Sequence, residues 1–331
     1  MSAPIHVTPT NSKWFLYTGS HEARHQLDLL HLNFQLINSG WQQQNIYHFI
    51  EPLPFGNTEY VRSGFPITTT SNINLLPQLT TSDTEVAVIV FSGHGNYEGV
   101  CYAGGASCVK GYDLIQTLQS APNINSSIII NGACHSGAFK YLDVLTGKPL
   151  CILGATNFEI SYSAETESVL GFFERRFESN LFLRLFSDWI VTKSDVDGDG
   201  NFTLIDAFRW SAIRTVNNLR HAKADNFKEW TKRIDNEKSI CDGTQKSIKD
   251  IQQQIQKKTN QLNALPGQGH GPGSVRYQNM INEISKANNN LLKFEQDLSS
   301  ADTNFKSFTA LAYSRQEPWI VNTKQARLFS F

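Results

Sequence analysis

EVAVIVFSG, residues Glu85–Gly93, decides the fold: an unbroken apolar run of strand length that ends on a glycine. A half-solvated strand alternates apolar and polar residues, whereas an unbroken run belongs to a strand covered on both faces, as in a parallel sheet. SSIIINGAC (Ser126–Cys134) and PLCILGAT (Pro149–Thr156) repeat the pattern downstream, and WFLYTG (Trp14–Gly19) and IYHFIE (Ile46–Glu51) repeat it upstream. Between them lie segments of helical character: Glu22–Ser39 with Leu27, Leu30, Leu32, Phe34 and Ile37, then Ser71–Leu79 and Tyr112–Gln119. Strands alternating with helices predict an α/β fold, a mostly parallel sheet with helices on both faces. Gly171–Val191 reads as one long aromatic-rich helix.

The chain has 331 residues, 40% of them hydrophobic and 18% charged, enough for a sizeable core and unlike a disordered polymer. Its 29 basic against 30 acidic residues exclude a strongly basic nucleic-acid binder as the default reading. The balance is uneven, because residues 1–218 carry 12 Lys and Arg against 19 Asp and Glu, and residues 219–331 carry 17 against 11. The five cysteines, Cys101, Cys108, Cys134, Cys151 and Cys241, form no CxxC pair, which argues against a disulfide scaffold or zinc module. No signal-peptide pattern opens the sequence and no run reaches the roughly 18 apolar residues of a membrane span, so a soluble, cytoplasmic protein without a membrane partner is expected.

Composition changes after residue 218. Residues 219–305 are rich in Lys, Gln and Asn, with Ile248, Ile251, Ile255 and Leu262, then Ile281, Ile284, Leu291 and Leu298, at helical spacing on either side of PGQGHGPG (Pro266–Gly273). This predicts an antiparallel helical hairpin with arms of about 30 residues, its seam interrupted at Thr259 and Asn288. Lys246, Lys249, Lys257 and Lys258 read as a solvated face or else as a docking site for a partner or nucleic acid, and the hairpin as a whole is where an activating ligand or partner is expected. Residues 306–331 turn apolar again and are expected to pack back on residues 1–218.

Two segments carry chemistry. FSGHGN (Phe91–Asn96) and NGACHSGA (Asn131–Ala138) each follow a buried strand, and open α/β sheets place functional groups at the carboxyl ends of strands. Only a thiolate attacks, so a thiol working at neutral pH needs a base or a neighbouring imidazolium. His94 is then general base and Cys134 nucleophile; His135 is a rival base by sequence position. A lone cysteine ending an apolar strand is usually a small hydrophobe, the reading given to Cys151.

SGHG and GACHSG, each behind a buried strand and with His94 40 residues upstream of Cys134, resemble the caspase-like (clan CD) cysteine peptidases, among them caspases, metacaspases, legumain and separase. His135-Ser136-Gly137 is similar to metacaspases, while Gly132 stands where those enzymes have Asp and legumains Glu, so their specificity determinants do not carry over. Ile152–Ser168 and Gly171–Phe177 are similar to the substrate-lining loop and following helix of bacterial legumain-like members. The resemblance spans roughly residues 14–213 and implies a caspase–haemoglobinase fold, a three-layer αβα sandwich. It also implies endopeptidase action on a protein or peptide through an acyl-enzyme, no cofactor in the chemical step, and an oxyanion hole from the N–H groups of Gly95 and Cys134. The substrate-lining stretch would contribute Thr156, Asn157, Glu159 and Glu165; two carboxylates and no Lys or Arg lean toward a basic residue before the scissile bond.

SDVDGDGNFTLIDAF (Ser194–Phe208) fits a calcium loop: Asp195, Asp197 and Asp199 at positions 1, 3 and 5, Gly200 at 6, Asn201 at 7, Thr203 at 9 and Asp206 at 12. Converging carboxylates repel without a cation, and Ca2+ in a structural or regulatory role suits the oxygen count, although the usual Glu is here the shorter Asp206; the alternative is a metal-free Asp/Gly turn. HEARH (His21–His25) matches the zinc-peptidase spacing formally but reads better as a helix start. The leading expectation is a Cys134/His94 cysteine peptidase controlled by calcium, a ligand or a partner. The competing one is a non-catalytic or ligand-gated effector module on the same fold, as in bacterial defence signalling.

Overall fold

The computed structural model describes residues 3–20, 22–50, 67–96, 100–102, 109–142, 147–170, 173–266, 271–313 and 315–331. Its strands are β1 (Ile5–His6), β2 (Ser12–Thr18), β3 (Ile46–Ile50), β4 (Thr69–Ser71), β5 (Val86–Phe91), β6 (His94–Gly95), β7 (Val100–Tyr102), β8 (Val109–Lys110), β9 (Ser126–Asn131), β10 (Leu150–Gly154), β11 (Ser163–Leu170), β12 (Phe173–Asn180), β13 (Trp319–Val321) and β14 (Phe329–Ser330). Its helices are α1 (Ala23–Asn38), α2 (Leu75–Thr81), α3 (Gly111–Ser120), α4 (Leu181–Thr192), α5 (Leu204–Ala264), α6 (Val275–Tyr313) and α7 (Thr323–Ala326).

The seven-stranded sheet has the order β13-β10-β9-β5-β2-β3-β4. Every neighbouring pair is parallel except β10 and β13. Alternate residues of one strand enter different cores, which is why these strands are apolar throughout. Trp14, Leu16, Val88, Val90, Ile128, Ile130 and Leu153 pack with Leu29 and Leu36 of α1 and with Phe182, Phe186 and Trp189 of α4. Phe15, Tyr17, Ile89, Phe91, Ile129 and Ile152 pack with Leu75 and Leu79 of α2 and with Leu114 and Leu118 of α3. Each such side chain, fully buried, contributes about 1.5–3 kcal/mol of hydrophobic stabilisation.

The helix expected over Gly171–Val191 is corrected. Residues Phe173–Asn180 form β12, paired antiparallel with β11 from Ser163↔Asn180 to Leu170↔Phe173, and α4 begins only at Leu181. Asn180 sets that boundary: its side chain accepts the Leu183 N–H and caps the helix, which a residue inside a helix does not do. Gly171 and Phe172 lie outside the described residues.

Two compact units divide the chain, one of residues 1–221 and 315–331, the other of residues 222–314. In the second unit the arms of α5 and α6 meet along a thin seam that buries Ile234, Cys241, Leu265, Ala301 and Ala312, while Ile281 stays exposed. Phe227 meets Tyr313 edge-on at 5.7 Å, Arg233 lies over the Phe308 ring, and Lys258 pairs with Glu283. Helix α5 runs unbroken through the boundary expected near residue 219, and α6 continues to Tyr313, so residues 306–313 belong to the hairpin and not to the returning segment. Residues 267–270 of the turn lie outside the described residues. In the first unit, β13 closes one sheet edge and β14 pairs with β1.

Candidate active site

Strands β5 and β9 are neighbours in parallel register, Phe91 opposite Asn131, so the segments that follow them leave the sheet at one edge. His94 begins β6, and Cys134 precedes a short 3-10 helix over Ser136–Tyr141. The two segments touch at the backbone: a side chain at Gly95 would collide with the Cys134 carbonyl oxygen and come within 3.0 Å of the Ala133 Cβ. Glycine is required there by close approach.

His135 follows the thiol at φ 55°, ψ 22°, the left-handed region. For a residue with a Cβ that costs about 1–2 kcal/mol, and such outliers cluster where a structure holds a functional group in place. The turn is pinned by the His135 N–H on Glu159 O (2.9 Å), by the ring Nδ1 on Phe158 O (2.7 Å) and by the Gly137 N–H on Asn157 O (2.8 Å). The donated Nδ1–H fixes the His135 ring to the loop and leaves its lone pair on Nε2.

His94 is half-exposed, and its Nε2 lies 2.6 Å from Glu22 Oε1. Partial burial pulls the Glu22 carboxyl upward, but the Arg24 hydrogen bond and charge, with the contact to His94, hold it below the ordinary carboxylate value. An ionised Glu22 only accepts, so the ring proton of neutral His94 sits on Nε2 and Nδ1 carries the lone pair. Glu22 therefore fixes the orientation and tautomer of the His94 ring. HEARH was the signal, although its His21 lies outside the described residues.

Burial raises the Cys134 thiol above its ordinary value, opposed by the Ser161 N–H on Sγ (3.3 Å) and by the nearby Arg24 guanidinium. Arg24 itself bridges Glu22 Oε2 (2.6 Å) and Ser163 Oγ (3.4 Å). Its charge acts to lower the Cys134 thiol.

Beneath the thiol runs a buried polar chain that sequence reasoning missed. Asn180 donates from Nδ2 to Gly132 O (2.7 Å) and Ser161 Oγ (2.6 Å), and its N–H donates to Asp28 Oδ1 (3.0 Å). Ser92 donates to Asp28 Oδ2 (2.8 Å) and stands 3.1 Å from His25 Nδ1. Burial pushes Asp28 up to about 7, and it pushes His25 down to about 3 with help from Arg24 and His94. Gly132 has no room for a side chain, since a Cβ would stand 2.6 Å from Leu183 Cγ and 3.0 Å from Phe91 O. That accounts for the missing carboxylate at this position.

Of the expected lining residues, Thr156 is corrected: it is fully buried, and its carbonyl accepts Ser136 Oγ and Trp319 Nε1, both at 2.7 Å. It anchors the loop and does not face a substrate. Asn157 is half-buried and accepts from Lys140 Nζ at 3.2 Å. Glu159 is exposed, and the side chain of Glu165 lies outside the described residues. Cys151 is fully buried, donates to Val321 O at 3.2 Å, and is a core residue.

In the acidic loop, Asp195, Asp197 and Asp199 bring carboxylate oxygens within 4.8 Å of one another. Asp195 accepts the Gly200 and Gly198 N–H groups, which lower its carboxyl, and Asp197 Oδ2 is held by Arg209 (2.8 Å) and Arg327 (3.1 Å). Asn201 is exposed, its N–H on Asp199 Oδ1. Asp206 and Thr203 stand apart from that trio: buried Asp206 accepts Val196 N–H (3.0 Å), Thr203 N–H (3.0 Å) and Thr203 Oγ1 (2.6 Å), a capping arrangement at the start of α5. The donor set on the trio is all oxygen, which fits a hard cation such as Ca2+ with solvent completing its shell.

Among the described residues, no helix is long and apolar enough to cross a membrane. No family model matches the chain, and no curated protein matches it.

Proposed function

We propose that the protein is a cysteine endopeptidase of the caspase-like type, with Cys134 as nucleophile and His94 as general base. The observation that carries this reading is the meeting of the two post-strand segments at one sheet edge, Gly95 against the Cys134 carbonyl, with Glu22 fixing the His94 tautomer. Cys134 Sγ attacks the scissile carbonyl carbon while His94 Nδ1 takes the thiol proton. The N–H groups of Gly95 and Cys134 receive the oxyanion. The C–N bond then breaks, His94 returns the proton to the leaving amine, and a thioester remains. Water attacks the thioester carbon and gives a proton to His94; the C–S bond then breaks, the carboxylic product leaves, and His94 returns the proton to Cys134 Sγ. The raised thiol favours transfer during attack over a resting thiolate–imidazolium pair. Calcium at Asp195, Asp197 and Asp199 would stiffen the loop that leads into α5 and offset its charge.

Turnover of a fluorogenic peptide library by the full chain, lost in Cys134→Ala, tests the reading; full activity in that variant refutes it. The same library reads the residue preceding the scissile bond, for which Arg24 beside the thiol opposes the basic preference suggested by Glu159 and Glu165.

A second reading is a ligand-gated effector on the same fold, favoured by the burial that keeps the Cys134 thiol protonated at rest. A thiol-directed activity probe separates the two. A standing peptidase labels at once, and a gated one labels only with its activator, for which the Lys246–Lys258 face of the hairpin is the candidate docking site.

A further inference from the structure

We infer a divalent transition-metal site formed by Glu22, His25 and His94, of the kind that takes Zn2+. One carboxylate oxygen and one ring nitrogen from each histidine lie within 4.8 Å of one another. His25 is the decisive member. Its side chain is only 8% exposed, and Nε2 is buried with no hydrogen-bond partner among the described residues. Ser92 spends its hydroxyl proton on Asp28, so the Ser92 oxygen accepts the His25 Nδ1–H, which leaves the Nε2 lone pair facing Glu22 Oε2 at 4.0 Å. An unsatisfied buried acceptor is costly, and a cation is the partner that completes a lone pair beside a carboxylate and a second imidazole. The Asp28–Ser92–His25 chain has the form of the outer hydrogen bonds that fix ligating histidines.

Two nitrogens and one oxygen suit zinc and similar borderline cations better than calcium or magnesium. Tetrahedral zinc with bonds near 2.0–2.1 Å sets its ligand atoms about 3.3 Å apart. His94 Nε2 and Glu22 Oε1 stand 2.6 Å apart and are both well exposed, so they open outward around the anchored His25. The cation replaces the proton that His94 shares with Glu22, and the fourth position stays open.

Regulation follows if the peptidase reading above holds, on which this part rests. Metal on Nε2 drives the ring proton to Nδ1, where the base that should take the thiol proton is lost. Zinc then holds the enzyme inactive, and chelation releases it.

The test uses the full chain carrying Asp195→Asn and Asp199→Asn to silence the oxygen-only trio, stripped of metal and titrated with Co2+ and then Zn2+. One equivalent of cobalt with tetrahedral absorption bands, displaced by zinc, is expected. His94→Ala and His25→Gln should each weaken zinc binding by at least about 100-fold and Ser92→Ala by about 10- to 100-fold. His94 is exposed enough for its variant to keep the fold, which circular dichroism verifies. Absence of stoichiometric binding, or unchanged affinity in His94→Ala, overturns the site. Stoichiometric zinc that fails to protect Cys134 from an alkylating probe overturns the regulation and leaves the site standing. Zinc binding by a protein that cleaves no peptide with or without the metal overturns the peptidase reading alone.

Discussion

Replacing Asn180 tests whether the site is held from below. Asn180 is 6% exposed and makes four hydrogen bonds that no other residue type could reproduce together. Its Oδ1 caps α4 through the Leu183 N–H, its Nδ2 serves Gly132 O and Ser161 Oγ, and its N–H serves Asp28. In Asn180→Ala the lost cap costs about 1 kcal/mol. The Gly132 carbonyl, left without its donor in the interior, adds about 1–3 kcal/mol. The expected loss is therefore about 2–4 kcal/mol in urea unfolding of the full chain followed by tryptophan fluorescence, which Trp14 and Trp189 in the core report. Asn180→Asp separates the parts, because it restores the cap but points an acceptor at Gly132 O and sets a second carboxylate beside Asp28. It should be no more stable than the alanine variant. An aspartate variant within about 0.5 kcal/mol of the parent would show that only the cap matters and would refute the buried chain as the support of the Cys134 turn.

Gly132→Asp, which installs the carboxylate of the metacaspase pattern, should lose about 1–3 kcal/mol through collision with Leu183, and Leu183→Ala should recover part of that loss in the same unfolding assay. Alkylation of Cys134 in the resting protein should climb with pH through and beyond the ordinary thiol range near 8.5, since burial raises the thiol; a rate already flat at pH 6 would mean a standing thiolate. Stability should rise with pH between about 4 and 6. His25 and His48, both held near 3 by burial, each bind one proton fewer folded than unfolded there, while Asp28, raised to about 7, binds one more. Buried His31 is likewise held low and adds to the rise, and His48→Gln, which removes one of these protons, should flatten the slope by about 1.4 kcal/mol per pH unit.

The sheet was legible because its signal is strong and local. A strand such as Val86–Phe91, buried on both faces, has no solvent face to interrupt its apolar run, and a glycine ends it. The shared edge of His94 and Cys134 was legible for the same reason: both sit just past such strands, and β5 and β9 are parallel neighbours. The misread segment, Phe173–Asn180, has an apolar and charged composition that helices and hairpins share. Its state is fixed by a partner strand and by the Asn180 cap, and a local reading of residues 171–191 weighs neither.

The groups that complete the site were hidden by distance along the chain and by apparent ordinariness. Glu22 and Arg24 stand at the start of a helix, 72 residues before the histidine that Glu22 holds, and nothing in their spacing points to Gly95 or Cys134. Asp28, Ser92 and Asn180 come from a helix, a strand end and a second strand end, joined only because β5 and β9 are adjacent and α1 and α4 cover the same face. HEARH reads as a helix start, and of its residues Glu22 and His25 gather with His94, which β5 delivers, into a three-residue cluster. That set could not be read from the motif, because its third member is supplied by sheet topology. Catalysis needs the lone pair of His94 on Nδ1 and metal binding needs it on Nε2, so the two compete through the one ring proton. That competition makes the two readings separable, since the metal is measured on His25 and the peptidase on Cys134.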